Sequence, residues 1–136
     1  MSFEPSGSWQ TRLDGASVVV TGGCGFIGSH LVHALARLGA GRVVVVDSLR
    51  YGARENLDPC PPGVQVVPFT LGSDPIDRLD DALAAADFLV HLAAEKHNQS
   101  KDSPAAVLRA NVDGTHALLQ RAAERGVKRA VFSSSL

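Results

Sequence analysis

The chain of 136 residues is long enough for one domain with a buried core, and its 45% apolar and 20% charged content fits the globular class. A formal net charge of −1 excludes a general attraction to nucleic acid or to an anionic membrane surface. Two cysteines, Cys24 and Cys60, make neither a disulfide framework nor a zinc cluster, so no metal and a reducing, cytoplasmic setting are expected.

Residues 1–16 read as a tail. The stretch from Met1 to Gln10 is polar, holds Pro5 and Gly7, and has no basic segment followed by an apolar one, so no signal peptide is read there. No apolar run in the sequence approaches membrane-spanning length. From residue 17 to 136, apolar runs alternate with helical patterns, which is the signature of βαβ units. Ser17–Thr21 (SVVVT) reads as a buried strand. Residues 26–38 carry Ile27, Leu31, Ala34, Leu35 and Leu38 at helical spacing, and Gly39 and Gly41 supply the stop. Arg42–Asp47 (RVVVVD) is apolar on both faces, as a parallel strand covered on each side must be.

Residues 48–63, with Gly52, Pro59, Pro61, Pro62 and Gly63, read as loop with room for a short helix over 51–57. A third strand is expected over 65–69. A helix is expected over 74–85, with Asp74 as N-cap and Pro75 at its first position. A fourth strand follows over 87–92. A long helix is expected over 104–125, with Ser103-Pro104 as its start and Gly126 as its stop, and a fifth strand over 130–133. Right-handed crossovers then give an α/β fold, a Rossmann-type doubly wound parallel sheet in the order 3-2-1-4-5, truncated after strand 5. Ligands of such sheets sit at the carboxyl ends of the strands, near the switch between strands 1 and 4.

The strongest local feature is the run Thr21-Gly22-Gly23-Cys24-Gly25-Phe26-Ile27-Gly28, between the first strand and the first helix. Gly22, Gly25 and Gly28 have G-x-x-G-x-x-G spacing. Glycines allow a tight turn and let backbone N–H groups approach a pyrophosphate, while the helix N-terminus adds positive potential. Gly28 also permits close packing of helix on strand. Asp47 ends the second strand, about 20 residues past the loop as the dinucleotide fingerprint requires. A carboxylate there accepts hydrogen bonds from both ribose hydroxyls of NAD and repels the 2′-phosphate of NADP. The nearby Arg50 and Arg54 leave room for some NADP tolerance.

Five segments in order, TGGCGFIGSHL, VVVVDSLRYGARENL, HLAAEKHNQSKDSP, NVDGTHALL and RAVFSSSL, make the chain resemble the extended short-chain dehydrogenase/reductase family, in particular its NAD-dependent nucleotide-sugar epimerases and dehydratases. The resemblance implies the following roles. Gly22, Gly25, Phe26, Ile27 and Gly28 form the pyrophosphate loop. Asp47 and Ser48 contact the ribose. Leu92, Ala93 and Ala94 line the cofactor. Lys96 lies near the nicotinamide ribose, Asn111 matches the asparagine of the N-V-x-G-T segment, and Ser133 and Ser134 border the nicotinamide. Ser135 matches the catalytic serine or threonine that hydrogen-bonds the substrate hydroxyl. For the adenine contact, an ungapped reading offers Thr70-Leu71 and a small shift offers Ser73-Asp74. The resemblance also implies a nucleotide-sugar substrate and a homodimer, with no nucleic-acid or membrane partner.

The Tyr-x-x-x-Lys pair of that family falls beyond the fifth strand, where this sequence has ended at Leu136, and Tyr51 is the only tyrosine. The expectation is therefore an incomplete NAD-binding domain (17–136) of a longer enzyme whose substrate domain lies elsewhere. In that enzyme a sugar hydroxyl is oxidised by hydride transfer to NAD and the hydride returns after rearrangement. The alternatives are a non-catalytic NAD-binding module or partner subunit, and a reductase of the same family acting on a non-sugar alcohol or ketone. Among the remaining candidates, His30 and His33 at i, i+3 read as helix-surface or packing residues, and His91 as a buried strand residue with a hydrogen-bonded imidazole. His116 reads as structural and His97 as a loop residue. Cys24 reads as a small residue in a tight loop, although a helix N-terminus can activate a thiol. Glu95 is balanced between touching substrate and being a plain loop charge.

Overall fold

The computed structural model describes residues 13–96 and 98–134. Five parallel strands form one sheet: β1 (Ser17–Thr21), β2 (Arg42–Asp47), β3 (Val64–Pro68), β4 (Phe88–His91) and β5 (Arg129–Phe132). Their spatial order is β3-β2-β1-β4-β5, the expected one. Runs of valine make β1 and β2 because branched side chains pack well on a pleated surface. Alternate valines then supply two cores on opposite faces. Val19, Val44 and Val46 pack with Leu83, Leu89 and Leu118 on one face. Val18, Val20, Val43 and Val45 pack with Val32, Leu35 and Leu57 on the other. Each fully buried side chain of this kind contributes on the order of 1.5–3 kcal/mol, and the interiors of β1 and β2 are accordingly all valine, with polar residues only at the strand ends (Ser17, Thr21, Arg42 and Asp47).

Helix α1 (Phe26–Arg37) covers the second face. The first is covered by α2 (Asp80–Ala84) and α5 (Thr115–Glu124), the latter continuing from α3 (Gln99–Asp102), α4 (Pro104–Leu108) and a π-helical turn at Arg109–Gly114. Arg121 on α5 grips both Asp80 carboxylate oxygens, Nε to Oδ1 and Nη2 to Oδ2, at 2.6 Å each, and Arg125 joins the same carboxylate. These guanidiniums hold the Asp80 carboxyl below the usual carboxylate range and fix the tilt of α5 against α2. Among the described residues no helix is long and apolar enough to cross a membrane.

Three expectations need correction. Over 74–85 there is no single helix: a 3₁₀ turn at Ile76–Leu79 precedes α2. Asp74 does not cap it. Its carboxylate instead accepts the Thr70 N–H at 2.7 Å, closing the 70–74 loop on itself, and Pro75 stays extended with ψ 128°. The expected 104–125 helix is interrupted by the π-helical turn, and Ser103 makes no side-chain cap although Pro104 does open the helix. Strands β3, β4 and β5 differ from the expected limits by one residue at each end.

Candidate cofactor site

Because β1 lies between β2 and β4, the chain turns one way after β1 and the other way before β4. This leaves an open cleft at the carboxyl ends of these strands. The cleft is lined by the glycine loop (Gly22, Gly25), the end of β2 and its following loop (Asp47, Ser48, Tyr51, Gly52), the loop after β3 (Phe69, Thr70, Leu71), the segment after β4 (Leu92 to Lys96) and Ala110.

The glycine loop is built by close approach. Gly22 has φ +71°, and a Cβ there would come within 3.0 Å of the Ala93 nitrogen, so only glycine fits between β1 and β4. Its own N–H donates to the Val46 carbonyl at 2.8 Å, fixing the loop to β2. At Gly28 a Cβ would stand 2.1 Å from the Gly22 carbonyl oxygen, so α1 lies against the loop at backbone contact. Gly25, the N-cap of α1, provides no side-chain acceptor for the first-turn N–H groups, which therefore suit an anion. Phe26 and Ile27 begin the helix with side chains 81% and 71% exposed and outside the cleft lining; what they offer the cleft is backbone. A pyrophosphate fits this arrangement of bare backbone and helix N-terminus.

Asp47 is only 7% exposed and serves two loops at once. Oδ2 accepts the Cys24 N–H at 2.9 Å, and Oδ1 accepts the Leu49 N–H at 2.8 Å. Each carboxylate oxygen has a further lone pair, so bracing the loop and accepting ribose hydroxyls are compatible. Ser48 beside it accepts the Arg50 N–H at 3.3 Å. Asn56, which sequence reasoning passed over, completes the brace: its side-chain amide donates to the Cys24 carbonyl at 2.8 Å, beside the Ala53 N–H at 3.2 Å. The available signal was its place in the RENL stretch, which folds as the 3₁₀ turn Arg54–Leu57 within the expected short helix.

A buried polar chain organises the exit of β4. Thr21 Oγ1 accepts the N–H groups of Leu92 and Ala93, each at 3.1 Å, which uses both its lone pairs. Its own proton must then go to His91 Nδ1, 2.6 Å away. The ring is thereby assigned as the Nε2–H tautomer, donating to Thr115 Oγ1 at 2.9 Å. Burial pushes the His91 pKa down, which keeps the ring neutral. This is the buried, hydrogen-bonded imidazole expected from the sequence, and it ties β1, β4 and α5 beneath the cleft.

The remaining candidates divide clearly. Leu92, Ala93, Ala94 and Lys96 line the cleft. Thr70 and Leu71 line it too, whereas Ser73 and Asp74 do not, so the cleft presents the ungapped alternative. Asn111 does not reach the cleft. Its side-chain amide clasps the Glu95 backbone instead, accepting the N–H at 2.7 Å and donating to the carbonyl at 3.1 Å, while its neighbour Ala110 forms part of the lining. Ser133 and Ser134 follow β5 on the exposed side, with the Ser133 N–H on the His91 carbonyl at 3.1 Å, and neither lines the cleft. Ser135 and His97 lie outside the described residues. Among the described residues no group of three metal-ligand side chains gathers. His30 bonds its own helix through the Phe26 carbonyl at 2.7 Å.

Tyr51 and Glu95 carry more of the site than the sequence suggested. The Tyr51 hydroxyl donates to Glu95 Oε2 at 3.0 Å, Arg50 Nη1 meets Glu95 Oε1 at 3.2 Å, and Lys96 Nζ stands 4.5 Å from the centre of the Tyr51 ring. Desolvation and the Glu95 carboxylate push the Tyr51 phenol above its ordinary pKa, the wrong direction for a base at neutral pH.

Cys24 is buried, and that burial, with Asp47 beside it, pushes the thiol up to about 11. Its thiolate fraction at pH 8 is therefore small. Titration with a thiol reagent at pH 8 is expected to show one fast group, the exposed Cys60, and a second that reacts only on unfolding. Two equally fast groups in the native chain would contradict the buried assignment.

Comparison with known proteins gives consistent matches. The family model of the NAD-dependent epimerase/dehydratase family matches residues 18–136. A dTDP-glucose 4,6-dehydratase of Streptomyces antibioticus is 38% identical over 118 residues, covering 82% of this chain and 35% of the relative. The structure of the epimerase Mth375 from Methanothermobacter thermautotrophicus superposes with a TM-score of 0.84 at 33% identity, covering 94% of this chain and 38% of that one. A second structure, DesIV (dTDP-glucose 4,6-dehydratase) from Streptomyces venezuelae with NAD and TYD bound, gives 0.76 at 38% identity, covering 83% and 37%. The chain spans about a third of the length of the curated relatives it matches.

Proposed function

The chain belongs to the NAD-dependent epimerase/dehydratase family, and on that premise we propose that it forms the NAD-holding part of a nucleotide-sugar epimerase or dehydratase. The observation that carries this reading is the junction of Asp47 with the glycine loop. The carboxylate that would accept the ribose hydroxyls is hydrogen-bonded to the middle of the loop that would hold the pyrophosphate. Ribose and diphosphate sites are thus held in fixed relation by one side chain.

In this reading the bare backbone of Gly22 and Gly25 and the first turn of α1 take the diphosphate, Asp47 and Ser48 the adenosine ribose, and Thr70 and Leu71 the adenine side of the cleft. Leu92, Ala93 and Ala94 form the wall along which the cofactor continues towards β5. Bound NAD would supply the hydride acceptor for a sugar hydroxyl. The chain's own residues orient the cofactor and keep its wall fixed through the neutral His91. Orientation of the sugar hydroxyl by Ser135, and a tyrosine base from further sequence, belong to the proposal for the whole protein, as does its nucleotide-sugar substrate.

The reading is tested by titrating the purified chain with NAD and NADP and following binding by calorimetry. Saturable binding of NAD, tighter than that of NADP, is expected. A folded chain that binds neither nucleotide would overturn it.

A further inference from the structure

Resting on that reading of the cleft, we propose that Glu95 is a specificity-determining residue: by pairing with Arg50 across the cleft it withholds a guanidinium from the ribose 2′ position and so strengthens the choice of NAD over NADP. Asp47 repels a 2′-phosphate directly. Three residues later, however, the chain carries Arg50, the kind of residue that accommodates such a phosphate. The turn between them is tight. Leu49 has φ +58°, its N–H is on the Asp47 carboxylate, and the Arg50 N–H is on Ser48 Oγ, so the Arg50 side chain leaves from the rim of the ribose site.

Glu95 is placed to take that side chain. Its backbone is clasped on both sides by Asn111, and its carboxylate, only 13% exposed, accepts Arg50 on Oε1 and the Tyr51 hydroxyl on Oε2. The Tyr51 ring lies 5.3 Å from the Arg50 guanidinium carbon and adds a cation–π contact on the same side. A carboxylate with both oxygens engaged on one lip thus holds a cation from the other lip. Since the Glu95 loop is fixed through its backbone, the side chain can be changed while the Asn111 clasp stays.

The experiment compares dissociation constants for NAD and NADP at one ionic strength in the wild-type chain, Glu95→Gln, Arg50→Ala and the double variant. Glu95→Gln, which removes the negative charge that faces the guanidinium, is expected to lower the NADP-to-NAD ratio of dissociation constants about fivefold or more, the worth of one partly exposed phosphate contact. The double variant is expected to return the ratio to the Arg50→Ala value. Glu95→Ser provides the same measurement should Glu95→Gln fold poorly. A ratio unmoved by the loss of the carboxylate, or a shift that persists without Arg50, overturns the proposal while NAD binding stands. A wild-type chain that binds neither nucleotide overturns both.

Discussion

Replacing Gly28 with alanine is expected to abolish NAD binding and to destabilise the chain by about 3 kcal/mol or more, at the upper end of overpacking costs. The added methyl would sit 2.1 Å from the Gly22 carbonyl oxygen and 2.7 Å from the Gly23 Cα, and both are backbone atoms with no rotamer to escape into. Relief requires α1 to move off the sheet, which opens the contacts of Val32 and Leu35 with β1 and β2 and displaces the first-turn N–H groups from the cleft. Gly126→Ala is the useful contrast. That glycine has φ +80° but nothing within 4 Å of its added carbon, so only the backbone penalty of about 1 kcal/mol applies. Urea unfolding of both variants, with NAD titration of the folded fraction, separates the two. Equal losses, or an alanine at 28 that still binds NAD, would refute the packing account.

Asp47→Asn is expected to cost about 2 kcal/mol of stability and to weaken NAD binding tenfold or more. The amide keeps the shape of the carboxylate but turns one acceptor into a donor. Both oxygens currently receive backbone N–H groups, from Cys24 and from Leu49, so one of those donors would face another donor. The stability loss and the binding loss share a cause, because the same carboxylate braces the glycine loop and offers lone pairs to the cleft. Unfolding curves and calorimetry on the one variant would show both. Asparagine at 47 with wild-type affinity for NAD would remove Asp47 from the site.

Much of this was legible in the sequence because backbone demands are written locally. The valine runs of β1 and β2 and the spacing of Gly22, Gly25 and Gly28 each state a steric requirement within a few residues. The order of the sheet followed from the handedness of crossovers acting on those runs. What was not legible depends on partners distant in sequence. Asp74 carries an N-cap signal, but a free Thr70 N–H nearby competes for its carboxylate and wins. Asn111 matched a cofactor motif by position, yet its amide is spent on the Glu95 backbone, 16 residues away. Glu95 was ambiguous and its bond to Tyr51 unseen, since neither loop reveals that it faces the other. Asn56 was missed for the same reason: its acceptor, the Cys24 carbonyl, belongs to a different loop.

The π-helical turn at Arg109–Gly114 has a consequence for what lengths of chain this helix can tolerate. A π turn holds one residue more than an α turn would, and one residue is about 100° of rotation. In an uninterrupted α-helix Asn111 would share one face with Leu118 and Ala122, whereas here Asn111 holds the Glu95 backbone while Leu118 and Ala122 seal the core. The turn is also pressed against the loop after β3, where a Cβ on Gly72 would meet the Arg109 carbonyl at 2.2 Å and one on Gly114 would meet the Gly72 nitrogen at 2.8 Å. The extra residue therefore works as a phase offset in a rod geared at both ends. A single deletion there, however regular the resulting helix, would leave either the Glu95 clasp or the core facing the wrong way.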